Sequence, residues 1–343
     1  MNKSLLEVCN INTGKLDSNA AKENGHYPFF TCAPEPSKID EYDFDADAIL
    51  LAGNNAQGNF HINRYTGKFN AYQRTYVITA RAGFDIDYLR YSIEIALNHL
   101  KKLAQGSQTK FLTMAILEQF QVKNIPLEQQ KNQVSCLAAL DKKISLNKKI
   151  NTTLKEMAQT IYLNKFFRKA ANGKIGEVII ENPKSTISVG DAKNCGGEIP
   201  FFTSGENILR WSEKLVDGRN IFLNTGGNAG INFYVGAAAY STDTWSITAE
   251  NLADYLYLFL DTIKVEIGKK FFKGTALKHL QKDLLRAREI YIPTAAELEE
   301  FNRAVAPSFT MISKNLRENY QLAKTRDFLL PLLMNGQVGF KEE

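Results

Sequence analysis

Most of the signatures that would mark this chain as an enzyme are missing. Nowhere in its 343 residues does GxxxxGK[ST] occur, so no phosphate loop of a nucleotide-driven motor is encoded. No apolar run approaches the ~18 residues of a membrane span, and the opening "MNKSLLEVCN" lacks the apolar heart of a signal peptide. A cytoplasmic chain with no membrane partner is expected. Cys9, Cys32, Cys136 and Cys195 are scattered and form no CxxC; they read as packing residues in a reducing compartment. The four histidines (His26, His61, His99, His279) make no ligand pair at helical spacing. Asp43, Asp45 and Asp47 open like a calcium loop, but Ala48 and Asn54 stand where its glycine and closing glutamate belong. A solvated strand entry accounts for them better. Glu266 with Lys269 likewise reads as a solvated helix face. No catalytic residue, metal or cofactor is assigned.

What is present is a composition of 44% hydrophobic and 23% charged residues, ordinary for a soluble protein, in a length that suits two domains. The net charge of +5 is mild but unevenly spread. Residues 141–174 hold nine Lys or Arg against two acids, residues 264–290 eight against three, and residues 35–47 one Lys against six acids. Basic clusters beside an acidic patch fit a polyanion on one face and a different partner elsewhere. Solvated helix faces account for any single cluster equally well.

The chain also repeats itself. "YPFFT" at Tyr27 answers "IPFFT" at Ile199, and "ILLAGNNAQG" at Ile49 answers "IFLNTGGNAG" at Ile221, both at an offset of 172. "TYVIT" at Thr75 answers "TWSIT" at Thr244, "LEQQKN" at Leu127 answers "ELEEFN" at Glu297, and "ISLNKKINTTL" at Ile144 answers "ISKNLRENYQL" at Ile312. Segments recurring in the same order mean two copies of one large unit, not a solenoid. Each copy begins with short apolar runs between Gly, Asn and Thr turns, which read as strands. Amphipathic helical stretches follow, and then Pro126 or Pro293 near the start of a long helix, where proline is tolerated. Thr294 with Glu297 makes a capping box at the second of these.

The long helices share a seam. Ile144, Asn147, Asn151, Leu154, Ala158 and Ile161 step by alternating threes and fours, as do Ile312, Asn315, Asn319, Leu322, Arg326 and Leu329. Matching seams predict that the helices pair, with the asparagines fixing register. The first helix leads from copy one to copy two, so the second must return antiparallel. Taken from residues 142–169, the first spans roughly 40 Å at 1.5 Å per residue.

In combination, "GSQTKFLTMAILEQFQVKNIPLEQQ", "LDKKISLNKKINTTLKEMAQTIYLNKFF" and "LRENYQLAKTRDFLLPLLMNGQV" resemble the specificity (S) subunit of type I restriction–modification systems over essentially the whole chain. The resemblance implies an α/β (α+β) chain with two target-recognition domains of mixed strands and helices. Pseudo-twofold symmetry would relate them, and an antiparallel two-helix coiled coil would separate them. Its divisions fall at residues 1–125, 126–170, 171–292 and 293–343: domain, spacer helix, domain, spacer helix. It further implies a non-catalytic reader of a bipartite double-stranded DNA target. Its partners would be two adenine methyltransferase (M) subunits and, in the full complex, ATP-dependent restriction (R) subunits. No Asn-Pro-Pro-aromatic run occurs, so methyl transfer is left to a partner. A nucleic-acid scaffold outside restriction–modification is the alternative reading.

Candidate DNA contacts are turn and loop residues whose side chains can pair with base edges or phosphates. In copy one they are Asn54, Asn55, Gln57, Asn59, Arg64, Tyr65, Lys68 and Arg74, interleaved with Phe60, Phe69 and Tyr72. In copy two they are Thr203, Ser204, Asn207, Arg210, Asn224, Asn228, Tyr234 and Ser241. Residues 225–230, "TGGNAG", either bring backbone close to a ligand or turn a hairpin. Copy one has a poorer glycine cluster here, so the two domains should make different contacts.

Overall fold

Residues 48–52, Ala-Ile-Leu-Leu-Ala, are apolar at consecutive positions, the pattern of a strand covered on both faces. In the computed structural model, which describes residues 2–56, 58–106, 108–205, 207–274 and 278–339, they lie at the centre of a sheet. The chain divides into two compact units, Met1–Lys143 with Leu322–Glu343, and Ile144–Gln321.

The first unit holds strands β1 (Cys9–Thr13), β2 (Tyr27–Phe30), β3 (Ser37–Ile39), β4 (Phe44–Ala52), β5 (Ile62–Ala71) and β6 (Thr75–Ala80). They form one sheet in the order β1-β6-β4-β5-β2-β3, antiparallel except where β2 runs parallel to β5. One face carries Ile49, Leu51, Tyr76 and Ile78, which pack with Tyr88, Leu89, Tyr91 and Ile93 of helix α1 (Ile86–Leu103). Asp85 caps that helix by accepting from the amides of Asp87 and Tyr88. The other face, Leu50 and Val77, is covered by Phe30, Phe69 and Ala71 of the sheet's own far half. The sheet therefore curls over itself. Gly67, within β5, has φ +123°, a conformation that L side chains rarely adopt.

Helix α2 (Leu127–Phe166) leads from the first unit into the second. The second unit contains β7 (Ile199–Phe202), β8 (Leu209–Trp211), β9 (Arg219–Asn224), β10 (Ile231–Val235), β11 (Ala239–Tyr240) and β12 (Thr244–Thr248), then helix α3 (Ala253–Thr262) and the part of helix α4 (Ala295–Met334) up to Gln321. The repeat can be followed rung by rung. Ile49 pairs with Ile78 and Ile221 with Ile247; Leu51 pairs with Ile62 and Leu223 with Ile231; Phe29 pairs with Asn70 and Phe201 with Ala239. One difference stands out. The counterpart of β5 breaks after Val235, at Gly236 with φ +124°, so the second unit has a four-stranded and a three-stranded sheet instead of one.

The long helices start just after Pro126 and Pro293, ahead of the heptad seam: α2 begins at Leu127 and α4 at Ala295, and each is 40 residues long. The first turns of α2 carry no seam because Val134 and Leu137 enter the first unit's core, as do Leu330, Leu333 and Met334 of α4. In the second unit Ala158, Tyr162 and Phe166 of α2 and Phe301, Val305 and Phe309 of α4 do the same. Between these ends the helices run antiparallel. Within the second unit Asn147 donates to Asn319 at 2.9 Å and to Glu318 at 2.8 Å, and Asn315 donates to Asn151 at 2.8 Å. Ile144, Leu154, Ile161 and Ile312 are half-buried there, and Leu322 and Leu329 are half-buried in the first unit. At α4, the Thr294 amide donates to Glu297 at 2.9 Å and the Glu297 amide to Thr294 Oγ1 at 3.4 Å. This is the reciprocal capping box.

Candidate nucleic-acid interface

In the second unit four loops meet: residues 203–205 after β7, 225–230 after β9, 241–243 before β12, and 278–280. Backbone and hydroxyl bonds hold them together. The Thr225 amide donates to Ser204 Oγ at 3.2 Å, and Thr225 Oγ1 donates to the Asp243 carbonyl at 2.8 Å, which also accepts from Ser204 Oγ. The Leu280 amide donates to the Thr225 carbonyl and the Gly227 amide to that of Lys278, both at 3.0 Å. Asn224 is buried beneath them, and its Nδ2 donates to the carbonyls of Ser204 (2.9 Å) and Asn228 (3.1 Å). Glycine at 230 is required by this brace, because a Cβ there would lie 2.3 Å from Asn224 Nδ2.

The first unit builds the same junction from other residues. The Gly53 amide donates to the Arg74 carbonyl at 2.8 Å and the Leu112 amide to that of Gly53 at 2.9 Å. Asn54 and Asn55 form a short ladder with Phe111 and Lys110. Asn55 Oδ1 accepts from the Asn59 amide at 3.0 Å, Lys101 reaches Asn59 Oδ1 at 2.7 Å, and Arg74 lies 5.1 Å over the Phe111 ring. Gln57 lies outside the described residues.

The candidates thus sort by environment. Asn54, Asn55, Asn59 and Arg74 come together at one junction, and Ser204 and Asn228 at the other. Thr203, Asn224, Tyr234 and Ser241 are buried. Thr203 Oγ1 accepts from the Gly205 amide at 3.0 Å, Ser241 shares a hydrogen with Thr244 at 3.0 Å, and the Tyr234 hydroxyl accepts from Arg317 at 2.9 Å. Arg64 is held by Asp47 at 2.5 Å and Asp87 at 3.0 Å. Tyr65 packs on Phe30 and Phe69, and Lys68 lies 4.6 Å over the Tyr42 ring. Asn207 is exposed. Arg210 lies 3.6 Å over the Tyr320 ring and donates to the Glu198 carbonyl, and burial lowers its guanidinium pKa. The exposed Lys101, Lys278 and His279 also lie at these junctions. Sequence reading missed them; their only local signal was position beside a loop whose partner is distant in the chain.

The chemistry on offer is amide, hydroxyl, guanidinium and ammonium hydrogen bonding. Among the described residues no three His, Cys, Asp or Glu side chains are placed to hold a metal ion. The one carboxyl that burial pushes up to about 6, Asp254, is paired with Arg219 at 2.5 Å. Arg219 also reaches Ala306 and Thr310, so the pair ties β9 and α3 to α4. No helix among the described residues is long and apolar enough to cross a membrane.

The family model of the type I restriction modification DNA specificity domain matches residues 1–156 and again residues 169–301. Over 74 residues the chain is 61% identical to the type I restriction enzyme EcoDI specificity subunit of Escherichia coli, a match covering 22% of this chain and 16% of that protein. The crystal structure of a type I restriction–modification system S subunit from M. genitalium resembles the chain with a TM-score of 0.62 at 13% identity, over 100% of this chain and 96% of the other. That last likeness is one of fold.

Proposed function

Because the chain belongs to the family of type I restriction modification DNA specificity domains and carries that domain twice, we propose that it reads a two-part DNA target, one word per domain. It carries two adenine methyltransferase subunits to the adenines within that target, and restriction subunits join them in the full complex. One observation supports this above the rest: the same loop junction stands on the same strand ladder in both units, furnished with different side chains. Asn54, Asn55, Asn59 and Arg74 furnish one, and Ser204 and Asn228 the other. Asn amides suit an adenine edge and Arg a guanine edge, while Lys101, Lys110 and Lys278 suit phosphates, which position without reading. Thr203, Asn224, Tyr234 and Ser241 act from beneath by fixing loop backbone.

The test is methylation mapping of host DNA with the gene intact, deleted, and carrying residues 12–100 exchanged for those of a relative. The exchange is expected to change one half of the methylated sequence and leave the other. Both halves changing together would overturn independent reading. Adenine methylation indifferent to the gene would favour the alternative, a nucleic-acid scaffold outside restriction–modification.

A further inference from the structure

The second unit carries a pair of cations that the reading above does not use. Trp245, on β12, is buried, and its Nε1–H is donated to Glu181 Oε2 at 2.9 Å. Lys282 Nζ stands 4.8 Å from the centroid of its ring and the Arg286 guanidinium 5.9 Å. Arg286 is neutralised, for it pairs with Glu181 and with Asp283 at 3.2 Å. Lys282 and its neighbour Lys184 are not: among the described residues no carboxylate is within ion-pair distance of either. Burial, and then the charge of Lys184, pull the Lys282 ammonium below its ordinary pKa, opposed by Asp283. Two cations thus flank one bonded group, Lys282 over the ring of Trp245 and Lys184 three residues beyond the Glu181 that this ring's N–H binds, and Glu181 is already taken.

Their place in the fold adjoins the loop junction. Lys282 follows two residues after Leu280, whose amide binds the Thr225 carbonyl. Lys184 follows Pro183, whose carbonyl accepts from Tyr240. Trp245 itself pairs with Leu223, the last rung but one before the 225–230 loop. We propose that Lys184 and Lys282 grip the phosphate backbone of DNA at the second domain, with the Trp245 ring holding Lys282 in place. This rests on the reading that the chain binds DNA. Among the described residues the first unit has no counterpart of the Lys282–Trp245 stack. Tyr76 occupies the position of Trp245, with its hydroxyl given to the Leu112 carbonyl at 2.8 Å. Met114 heads the short helix that corresponds to Lys282–Arg286. The salt-sensitive part of DNA affinity should therefore weigh toward the second domain.

The experiment is fluorescence anisotropy of the full chain with a labelled random-sequence DNA duplex, titrated across salt. Each phosphate contact contributes about 0.9 to the slope of log affinity against log salt, so Lys184→Gln with Lys282→Gln should reduce the slope by about 1.8. Between about 50 and about 200 mM salt the parent should then lose about twelvefold more affinity than the double variant. Lys184→Arg with Lys282→Arg keeps both charges and should keep the slope. An unchanged slope in the Gln pair, or an equal fall in the Arg pair, overturns the clamp while leaving the DNA reading intact. A parent chain without salt-dependent affinity for the duplex overturns the DNA reading itself.

Discussion

Replacing Asp141 by alanine should unfold one unit of this protein well before the other. Its carboxylate accepts from Arg90 at 2.5 Å, from the Tyr91 hydroxyl at 2.7 Å and from Arg326 at 2.8 Å, all within the first unit. The Asp141, Arg90 and Arg326 side chains are 18%, 12% and 20% exposed, so solvent screens the cluster little. Asp141→Ala takes away the carboxylate that Arg90 and Arg326 share, leaving Arg90 with Glu94 and Arg326 with Asp327. Breaking a buried pair from one side costs ~3–5 kcal/mol, and the residual exposure places this case at about 3. With a urea m-value of ~2 kcal/mol per M, the midpoint should fall by about 1.5 M. Asp141→Asn keeps the shape and should lose about half as much. The readout can separate the units, because both tryptophans, Trp211 and Trp245, lie in the second. Far-UV circular dichroism should show the early transition while tryptophan fluorescence holds its midpoint. Burial pushes the Asp141 carboxyl up, but Arg90, Arg326 and Tyr91 together outweigh it and hold it below the ordinary range. A depressed carboxylate stabilises above its unfolded value, ~3.9, and that contribution is lost as pH falls through the folded value. The gap between parent and Asp141→Ala should therefore narrow below pH ~4. A dichroism curve superimposable on the parent's at neutral pH would refute the reasoning.

Asn147→Ala strands the Asn319 amide in the seam and should cost ~1–3 kcal/mol. The paired change Asn147→Leu with Asn319→Leu should recover the melting temperature, since an apolar pair replaces a satisfied polar one. Gly230→Ala drives the Asn224 amide from the Ser204 and Asn228 carbonyls; a loss of ~1–3 kcal/mol by thermal melting, with weakened DNA binding by anisotropy, is expected. The Glu297 carboxyl is held down to about 2 by Lys169 first, then by Thr294 and Tyr291. Its contribution is present above the unfolded value of ~4.3 and disappears as pH falls toward 2. Glu297→Gln should flatten the acid dependence of melting over that window, and an unaltered pH profile would contradict the capping role.

The doubling of the fold was legible because the strands pair by local rules. The rungs Ile49–Ile78 and Ile221–Ile247 sit in segments that match by eye. The asparagine seam was legible for the same reason, as heptad spacing is a property of one helix. Pro126 marked where α2 begins, but not what its first turns pack against, because Val134 and Leu137 answer to a domain core and not to a partner helix. The candidate site was half legible. Composition picks out Asn, Thr, Ser and Tyr in turns, yet whether such a side chain faces out, as Asn228 does, or braces from below, as Asn224 does, is decided by the neighbouring loop. The Asp141 cluster and the Lys184–Lys282 pair escaped altogether. Each joins residues that are distant in the chain, and neither has a spacing that a sequence can display.

One consequence of the two long helices concerns time. The first unit's core is closed by Leu330, Leu333 and Met334, and Gln133 bonds the Leu333 carbonyl across 200 residues of sequence. At ~5–20 residues per second, those partners leave the ribosome ~10–40 s apart. Throughout that interval the unit made first waits with part of its apolar face uncovered. The second, contained within Ile144–Gln321, already has everything it needs. The order of completion is thus the reverse of the order of synthesis, and a chain cut short after residue 321 would damage the domain nearest its beginning.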